Sequence, residues 1–208
     1  YAGMMTVLSA EDLLLDREDI RRLLQACGAA ATDSEIGAIL KETSGYPLGA
    51  AIIARHMAAG QPYGAALTAQ VYSEVFLYFE TAVYRRFDLP IRRFLLELSP
   101  FERFDLELAR MVSGDNAAAA LLDTLWRNTT MLRSSDMRIY HFWPQFRQFL
   151  LWELDREYTT EKQRALFIRG GLYYELKEDF SCALDCYTKS GDHAKVSELL
   201  IRNAELHP

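Results

Sequence analysis

Two cysteines near the carboxyl end are the first side chains whose spacing could do chemistry. Cys182 and Cys186 lie one helical turn apart, so a helix would place both thiols on one face, where they could bind a metal. The chain has 3 cysteines, and no second ligand pair with zinc spacing accompanies these two. Free cysteine is among the most buried residue types. The pattern therefore favours two small buried thiols over a metal site or a disulfide framework, which suits a cytosolic protein.

Acidic side chains occur as adjacent pairs, which is a second possible source of chemistry. Glu11-Asp12, Glu18-Asp19 and Glu178-Asp179 could in principle serve acid–base catalysis. They fit helix starts better, because acidic groups stabilise the amino-terminal end of the helix dipole. No spacing of Ser, His and Asp selects a catalytic triad, and no Gly-x-x-x-x-Gly-Lys-Ser/Thr phosphate loop occurs. The sequence predicts that this chain alone is not an enzyme.

The 29 acidic residues outnumber the 23 basic ones, so the net charge is −6. Arg85-Arg86 and Arg92-Arg93 form a small basic patch that could meet a phosphate or an acidic partner, although a solvated face is the favoured interpretation. The segment 116–127 carries almost none of the Arg, Lys, Asn or Gln side chains that read base edges. We therefore expect no binding to duplex DNA. No apolar run approaches the length of a membrane span, so no membrane partner is expected.

The first third of the chain predicts three helices that would position these groups. Asp16 can cap the first helix, and Thr32-Asp33-Ser34-Glu35 has the spacing of a capping box for the second. Gly45-Tyr46-Pro47 interrupts the pattern, and a third helix follows from 48 to about 59. Gly60-Gln61-Pro62 then marks a boundary.

The middle of the chain has the element order of a winged helix domain. Residues 65–87 predict one long amphipathic helix, with an inward stripe of Tyr72, Phe76, Phe79 and Val83. The segments that follow are a helix restarted by Asp88-Leu89-Pro90 and ended by Ser99-Pro100, helices near 105–112 and 116–127, short strands at 129–132 and 138–142, and a helix opened by Pro144.

The last fifty residues follow a tetratricopeptide pattern. Five positions match it in register: Phe167, Gly171, Tyr174, Ala183 and Tyr187. Lys195 stands where the pattern has its final proline, so the match is partial. One repeat cannot bury its own face, so we expect a longer solenoid to begin here. The predicted fold class is mostly α: a helical bundle, a winged helix domain with a small β-hairpin, and the start of a tetratricopeptide-like α-solenoid.

Three stretches resemble a known family. They are Leu14-Leu15-Asp16-Arg17-Glu18-Asp19 through Thr43-Ser44-Gly45-Tyr46-Pro47-Leu48-Gly49, Arg93-Phe94-Leu95-Leu96-Glu97-Leu98-Ser99 together with the motif around Trp143-Pro144-Gln145-Phe146-Arg147, and the tail from Arg164 to Leu200. In this order and spacing they resemble LuxR-type transcription regulators of the maltose-activator class, within the STAND group of signalling ATPases.

The resemblance implies that the chain is a middle segment with three domains. These would be the helical lid of an ATPase module at 1–61, a winged helix domain at 62–158 and the first helices of a tetratricopeptide-like domain at 159–208. An ATP-binding domain would precede the segment, and a sensor solenoid and a helix-turn-helix would follow. The segment would transmit the nucleotide state (ATP or ADP) and that of an unknown inducer to promoter DNA through a domain that it does not contain. The segment is expected to hold no cofactor itself. The resemblance implies a parent protein that is a weak ATPase of the cytoplasm.

Four residues are expected by this resemblance to face the nucleotide in the parent protein. Gly45 and Pro47 match a Gly-x-Pro element whose proline packs against adenine, although a proline that opens a helix needs no function to explain it. Trp143 occupies the position of the histidine that senses the β-phosphate, and an indole cannot gain positive charge. His141 could substitute for it, with a plain structural role as the alternative. We therefore predict no measurable ADP affinity for the segment alone.

A different class of protein also fits the tail. A free-standing tetratricopeptide-type adaptor would bind a peptide through its C-terminal helices, without nucleotide or DNA. An upstream phosphate loop and a downstream helix-turn-helix in the same gene would favour the regulator, and their absence would favour the adaptor.

Overall fold

The computed structural model describes residues 11–114, 116–129, 131–134 and 136–206. The chain forms two compact units, Tyr1–Arg86 and Phe87–Pro208. The three domains predicted from the sequence stay a prediction. Within the described ranges, no helix combines the length and apolar character needed to cross a lipid bilayer.

The first unit opens with three helices that begin where the sequence predicted. They are α1 (Arg17–Ala26), α2 (Asp33–Thr43) and α3 (Pro47–Ala58), after a 3₁₀ turn at Glu11–Leu13. Asp16 accepts hydrogen bonds from the backbone of Glu18 and Asp19 and completes a capping box. Thr32 and Glu35 form the second box. These caps satisfy amide groups that have no partner within the helix, which fixes both starts.

The prediction of one long α-helix over 65–87 is wrong for the last third of that range. An α-helix, α4, spans Ala65–Tyr78, and a π-helical turn at Phe79–Val83 and a 3₁₀ turn at Tyr84–Arg86 follow. The buried side chains are Leu67, Val71, Val75, Phe79 and Tyr84. These positions are four residues apart up to Phe79, and the next, Tyr84, follows after five residues. A π turn bonds residue i to i+5 and holds one more residue than an α turn, so Tyr84 is buried where Val83 was expected.

The second unit begins with the winged helix elements. Helices α5 (Leu89–Leu98), α6 (Leu106–Ser113) and α7 (Ala118–Asn128) precede the antiparallel strands β1 (Leu132–Arg133) and β2 (His141–Phe142), and α8 (Pro144–Glu157) follows. In this hairpin Leu132 pairs with Phe142 and Arg133 with His141. Both strands are shorter than predicted, because Thr129 still caps α7 and Tyr140 pairs instead with Phe104.

The second unit ends in tetratricopeptide-like helices. They are α9 (Thr160–Leu176), α10 (Phe180–Ser190) and α11 (His193–Leu206). Gly171 lies against the Tyr187 ring so closely that a Cβ there would stand 2.7 Å from ring carbons. Ala183, Tyr187 and Leu199 form the buried centre of this packing. The described fold is thus mostly α with one small antiparallel pair, which confirms the predicted fold class.

Candidate functional site

The candidate site is the joint between the winged helix and the first repeat, at the loop 99–105 that follows α5. Arg147, one turn inside α8, donates from Nε to the Ser99 carbonyl and from Nη2 to the Pro100 carbonyl, both at 2.9 Å. Ser99 is fully buried, and burial lowers the pKa of the Arg147 guanidinium. The two parts of the second stretch noted in the sequence, Arg93–Ser99 and the motif around Trp143, therefore meet through these hydrogen bonds.

The same loop packs against α9 through an aromatic ring and a glycine. Phe101 is 3% exposed, and a Cβ on Gly170 would overlap its ring, 2.7 Å from Cζ. The ring of Phe167, one turn earlier on α9, lies 6.4 Å from that of Phe101. Only a residue without a side chain fits at Gly170, so the loop and α9 are held at close range.

Polar contacts join α9 to both ends of α6. The Tyr173 hydroxyl donates to Asp105 Oδ2 at 2.6 Å, while the other Asp105 oxygen caps α6 at Leu108 N. Burial, and then the hydrogen bond to Asp105, raise the pKa of Tyr173. Arg169 donates to the Val112 carbonyl at the far end of α6. A shift of α9 would therefore act on the whole of α6.

A buried carboxylate ties α5 to the end of α8. Glu97 is 3% exposed; its Oε1 lies 2.8 Å from Arg93 Nε and accepts a 3.1 Å hydrogen bond from the Tyr158 hydroxyl. Burial, followed by the charge of Glu97, raises the pKa of Tyr158 to about 12. The neutral phenol is thus the form that this corner stabilises.

That shift predicts a loss of stability at alkaline pH. The pKa of Tyr158 in the folded chain lies above its ordinary value of 10.0, so its contribution is complete below pH 10 and is lost as pH rises towards 12. Unfolding by urea at a series of pH values should show this decline. Tyr158→Phe cannot ionise and should have a shallower decline over that window. Identical slopes in the two proteins would contradict this assignment.

Two of the four expected nucleotide-facing residues lie in the first unit, one in the turn after α2 and one at the first position of α3. Gly45 has φ +75°, and a Cβ there would stand 2.7 Å from the Leu15 carbonyl oxygen. The Leu15 amide in turn donates to the Gly45 carbonyl at 2.8 Å. Pro47 is the first residue of α3 and is half-buried. Backbone geometry alone therefore requires this glycine and accommodates this proline.

The other two lie at the hairpin of the second unit. Trp143 caps α8, is 3% exposed, and its amide donates to the Met131 carbonyl at 3.0 Å. His141 is half-buried and pairs across the hairpin with Arg133. The Arg133 guanidinium lies 4.4 Å from the Trp143 ring centroid, within cation–π range. Sequence reasoning missed Arg133, which brings a fixed positive charge to this corner; that any of the four faces a nucleotide stays a prediction.

The thiols of the cysteine pair are both at least partly shielded from solvent. Cys186 is buried and Cys182 half-buried, and both are free thiols. Burial raises the pKa of Cys186 to about 12, and that of Cys182 is raised as well. No group of three or more His, Cys, Asp or Glu side chains that could hold a metal occurs in the part of the chain that the structure describes. Cys27 is exposed.

Comparison with known families adds one match. Residues 80–162 match the family model described as the MalT winged helix domain. The matched range runs from the π-helical turn to the start of α9 and includes Arg147 and the hairpin. No curated protein sequence matches the chain.

Proposed function

We propose that this chain, whose residues 80–162 form a winged helix domain of the MalT type, is the switch segment of a MalT-like transcription regulator. In this role it transmits nucleotide and inducer state to a DNA-binding domain outside the segment. The observation that carries the proposal is the joint at loop 99–105. One loop is held by Arg147 of α8 and by Phe101 against Gly170 of α9, so the winged helix and the first repeat share it.

A joint of this kind suits the transmission of a conformational change because its close contacts permit little independent movement of the two sides. Packed interiors respond to displacement by switching between discrete arrangements rather than by deforming gradually. A rotation of α9 would pull Asp105 through Tyr173 and the last turn of α6 through Arg169. Movement of the repeat domain would therefore reach the winged helix directly.

The rest of the proposal concerns the parent protein. We propose an upstream nucleotide-binding domain that holds ATP or ADP, a downstream sensor solenoid for an unknown inducer, and promoter DNA bound through a further domain, in the cytoplasm. In this proposal the segment is not an enzyme by itself and binds no cofactor on its own. Its charge of −6 fits contact with other protein domains better than contact with DNA.

A transcription reporter driven by the full-length parent tests this role. Lys177, which follows α9, forms an ion pair with Glu107 of α6, with 2.6 Å between Nζ and Oε2. Lys177→Glu replaces this attraction by repulsion between two carboxylates. We expect the inducer concentration for half-maximal transcription to change by about two- to fivefold. Arg22→Glu is the control, since Arg22 is also exposed but pairs with Glu18 inside α1. Equal responses of both variants and the wild type would contradict transmission through the joint.

One observation favours the adaptor as a second candidate. Ile168, Leu172 and Leu176 follow one another at four-residue spacing on α9 and are 38%, 40% and 72% exposed. Such a stripe suits a peptide-binding groove. The complete reading frame separates the two functions: the regulator requires a phosphate loop upstream and a helix-turn-helix downstream, and the adaptor requires neither.

A further inference from the structure

A second surface of the winged helix lies next to the joint, on the side of α7. A groove of about 420 Å³ lies between the start of α6, one face of α7 and the loop that joins β1 to β2. We call it the α7 groove. Its apolar lining includes Leu122 and Trp126 of α7, with Tyr140 and Met137 from the loop. In DNA-binding winged helices the corresponding helix and wing read the duplex, so the chemistry here is unusual for that position.

The floor of the α7 groove is fixed by ring contacts. The rings of Trp126 and Tyr140 meet edge to face at 5.9 Å. The Tyr140 backbone pairs with Phe104, and its hydroxyl donates to the Met137 carbonyl at 2.8 Å. Tyr140 and Leu122 are almost fully buried. The groove is therefore preformed, which lowers the entropic cost of binding.

At the rim of the α7 groove, Met137 exposes an apolar side chain to water and has an unfavourable backbone conformation. Met137 is 62% exposed and has φ +56°, a region that non-glycine residues rarely adopt. Asp136 stabilises the turn by accepting hydrogen bonds from the amides of Arg138 and Ile139 at 2.9 and 3.1 Å. Ile139, next along the loop, is 42% exposed. Exposed apolar side chains beside a groove are typical of protein–protein contact surfaces.

The charges of the lining are mostly negative. Asp105, Glu107 and Asp123 line the α7 groove, with Arg138 as the one cationic lining residue in the described part of the chain. Asp123 pairs with Arg127 and Glu107 with Lys177, but these carboxylates are 57% and 61% exposed. Exposed pairs of this kind are weak, so a cation from a partner can compete for the carboxylates. A phosphate backbone would instead be repelled.

We propose that the α7 groove binds a basic amphipathic helix of another protein. Aliphatic side chains of that helix would rest on Leu122 and Trp126, and flanking Lys or Arg side chains would pair with Asp123 and Glu107. This is the helix-in-groove mode of recognition. The α7 groove adjoins the joint and shares Asp105 with it, but binding of a helix there does not require the switch function.

Fluorescence anisotropy with two synthetic peptides tests the proposal. The first is a labelled leucine–lysine amphipathic helix of about 14 residues, close to a mean helix length, and the second has glutamate at every lysine. The leucine–lysine peptide should bind with a Kd on the order of micromolar, and the leucine–glutamate peptide should bind at least about tenfold more weakly. Asp123→Lys should weaken the first peptide about tenfold. Asp185→Lys is the control, because Asp185 forms the same type of exposed pair with Lys189 on α10.

Two further variants separate loss of binding from loss of fold. Trp126→Ala should weaken binding at least about tenfold, while Trp152→Ala, an exposed tryptophan on α8, should not. Met137→Asn removes the apolar side chain and places a residue that tolerates positive φ in the turn. It should weaken binding while leaving the thermal midpoint equal or higher.

Three results would overturn the proposal. Equal binding of both peptides would show that charge does not select the partner. Competition by a short DNA duplex at low salt would assign the α7 groove to nucleic acid. Self-association of the chain in sedimentation, abolished by Trp126→Ala, would assign it to a second copy.

Discussion

Replacing Gly170 by alanine is expected to destabilise the second unit by about 1–2 kcal/mol, although alanine is the better helix former. The helical preference alone would stabilise α9 by about 1 kcal/mol. Against this, the new Cβ would overlap the ring of Phe101, a residue that is 3% exposed and cannot move freely. Overpacking of such a site costs about 1–3 kcal/mol, so the unfavourable effect should dominate at this distance.

Native-state hydrogen exchange measures the effect helix by helix. Gly170→Ala should accelerate exchange in α9 and in α5 up to the loop. Gly37→Ala in α2 is the control, because its Cβ would meet only the Arg17 side chain at an ordinary 3.7 Å; exchange there should slow. Combining Gly170→Ala with Phe101→Leu should cost less than the sum of the two single changes. Strict additivity would show that the glycine is not required by Phe101.

The local features of the fold could be predicted because short-range chemistry determines them. Asp16 and Thr32 cap their helices with partners three residues away, and Pro144 opens α8 where a missing amide does no harm. The tetratricopeptide pattern likewise included Gly171 and Tyr187, which lie in close contact in the structure. The π turn was missed, since a five-residue step from Phe79 to Tyr84 departs from every regular helical period.

The joint could not be predicted, because its partners are far apart in the chain. Arg147 lies 48 residues from Ser99, and Tyr173 lies 68 residues from Asp105. A pattern marks Arg147 as part of a motif but does not say which carbonyls it meets. Gly170 was overlooked for a similar reason. The repeat pattern requires a glycine only at Gly171, whereas Gly170 is required by contact with Phe101, which lies in the winged helix. The cation–π contact of Arg133 with Trp143 depends on hairpin register, which two-residue strands leave open.

Removal of the Arg147 side chain is the other change with a large expected effect. Arg147→Ala would leave the buried Ser99 and Pro100 carbonyls without their charged donor. A hydrogen bond to a charged group contributes about 1.5–3 kcal/mol, and an unsatisfied buried acceptor carries a further cost. Relief of guanidinium desolvation, the cause of the lowered pKa of Arg147, offsets part of the loss. We expect a net loss of about 3 kcal/mol in urea unfolding.

Arg147→Lys separates charge from geometry at the same position. Lysine keeps the positive charge but offers one nitrogen, whereas the two carbonyls are reached by Nε and Nη2 of a planar fork. Its loss should be roughly half that of the alanine variant. Arg127→Ala, an exposed pair with Asp123 on α7, should cost less than about 1 kcal/mol. If Arg147→Lys were as stable as the wild type, charge alone would hold the loop, and the joint would be looser than transmission between repeat and winged helix requires.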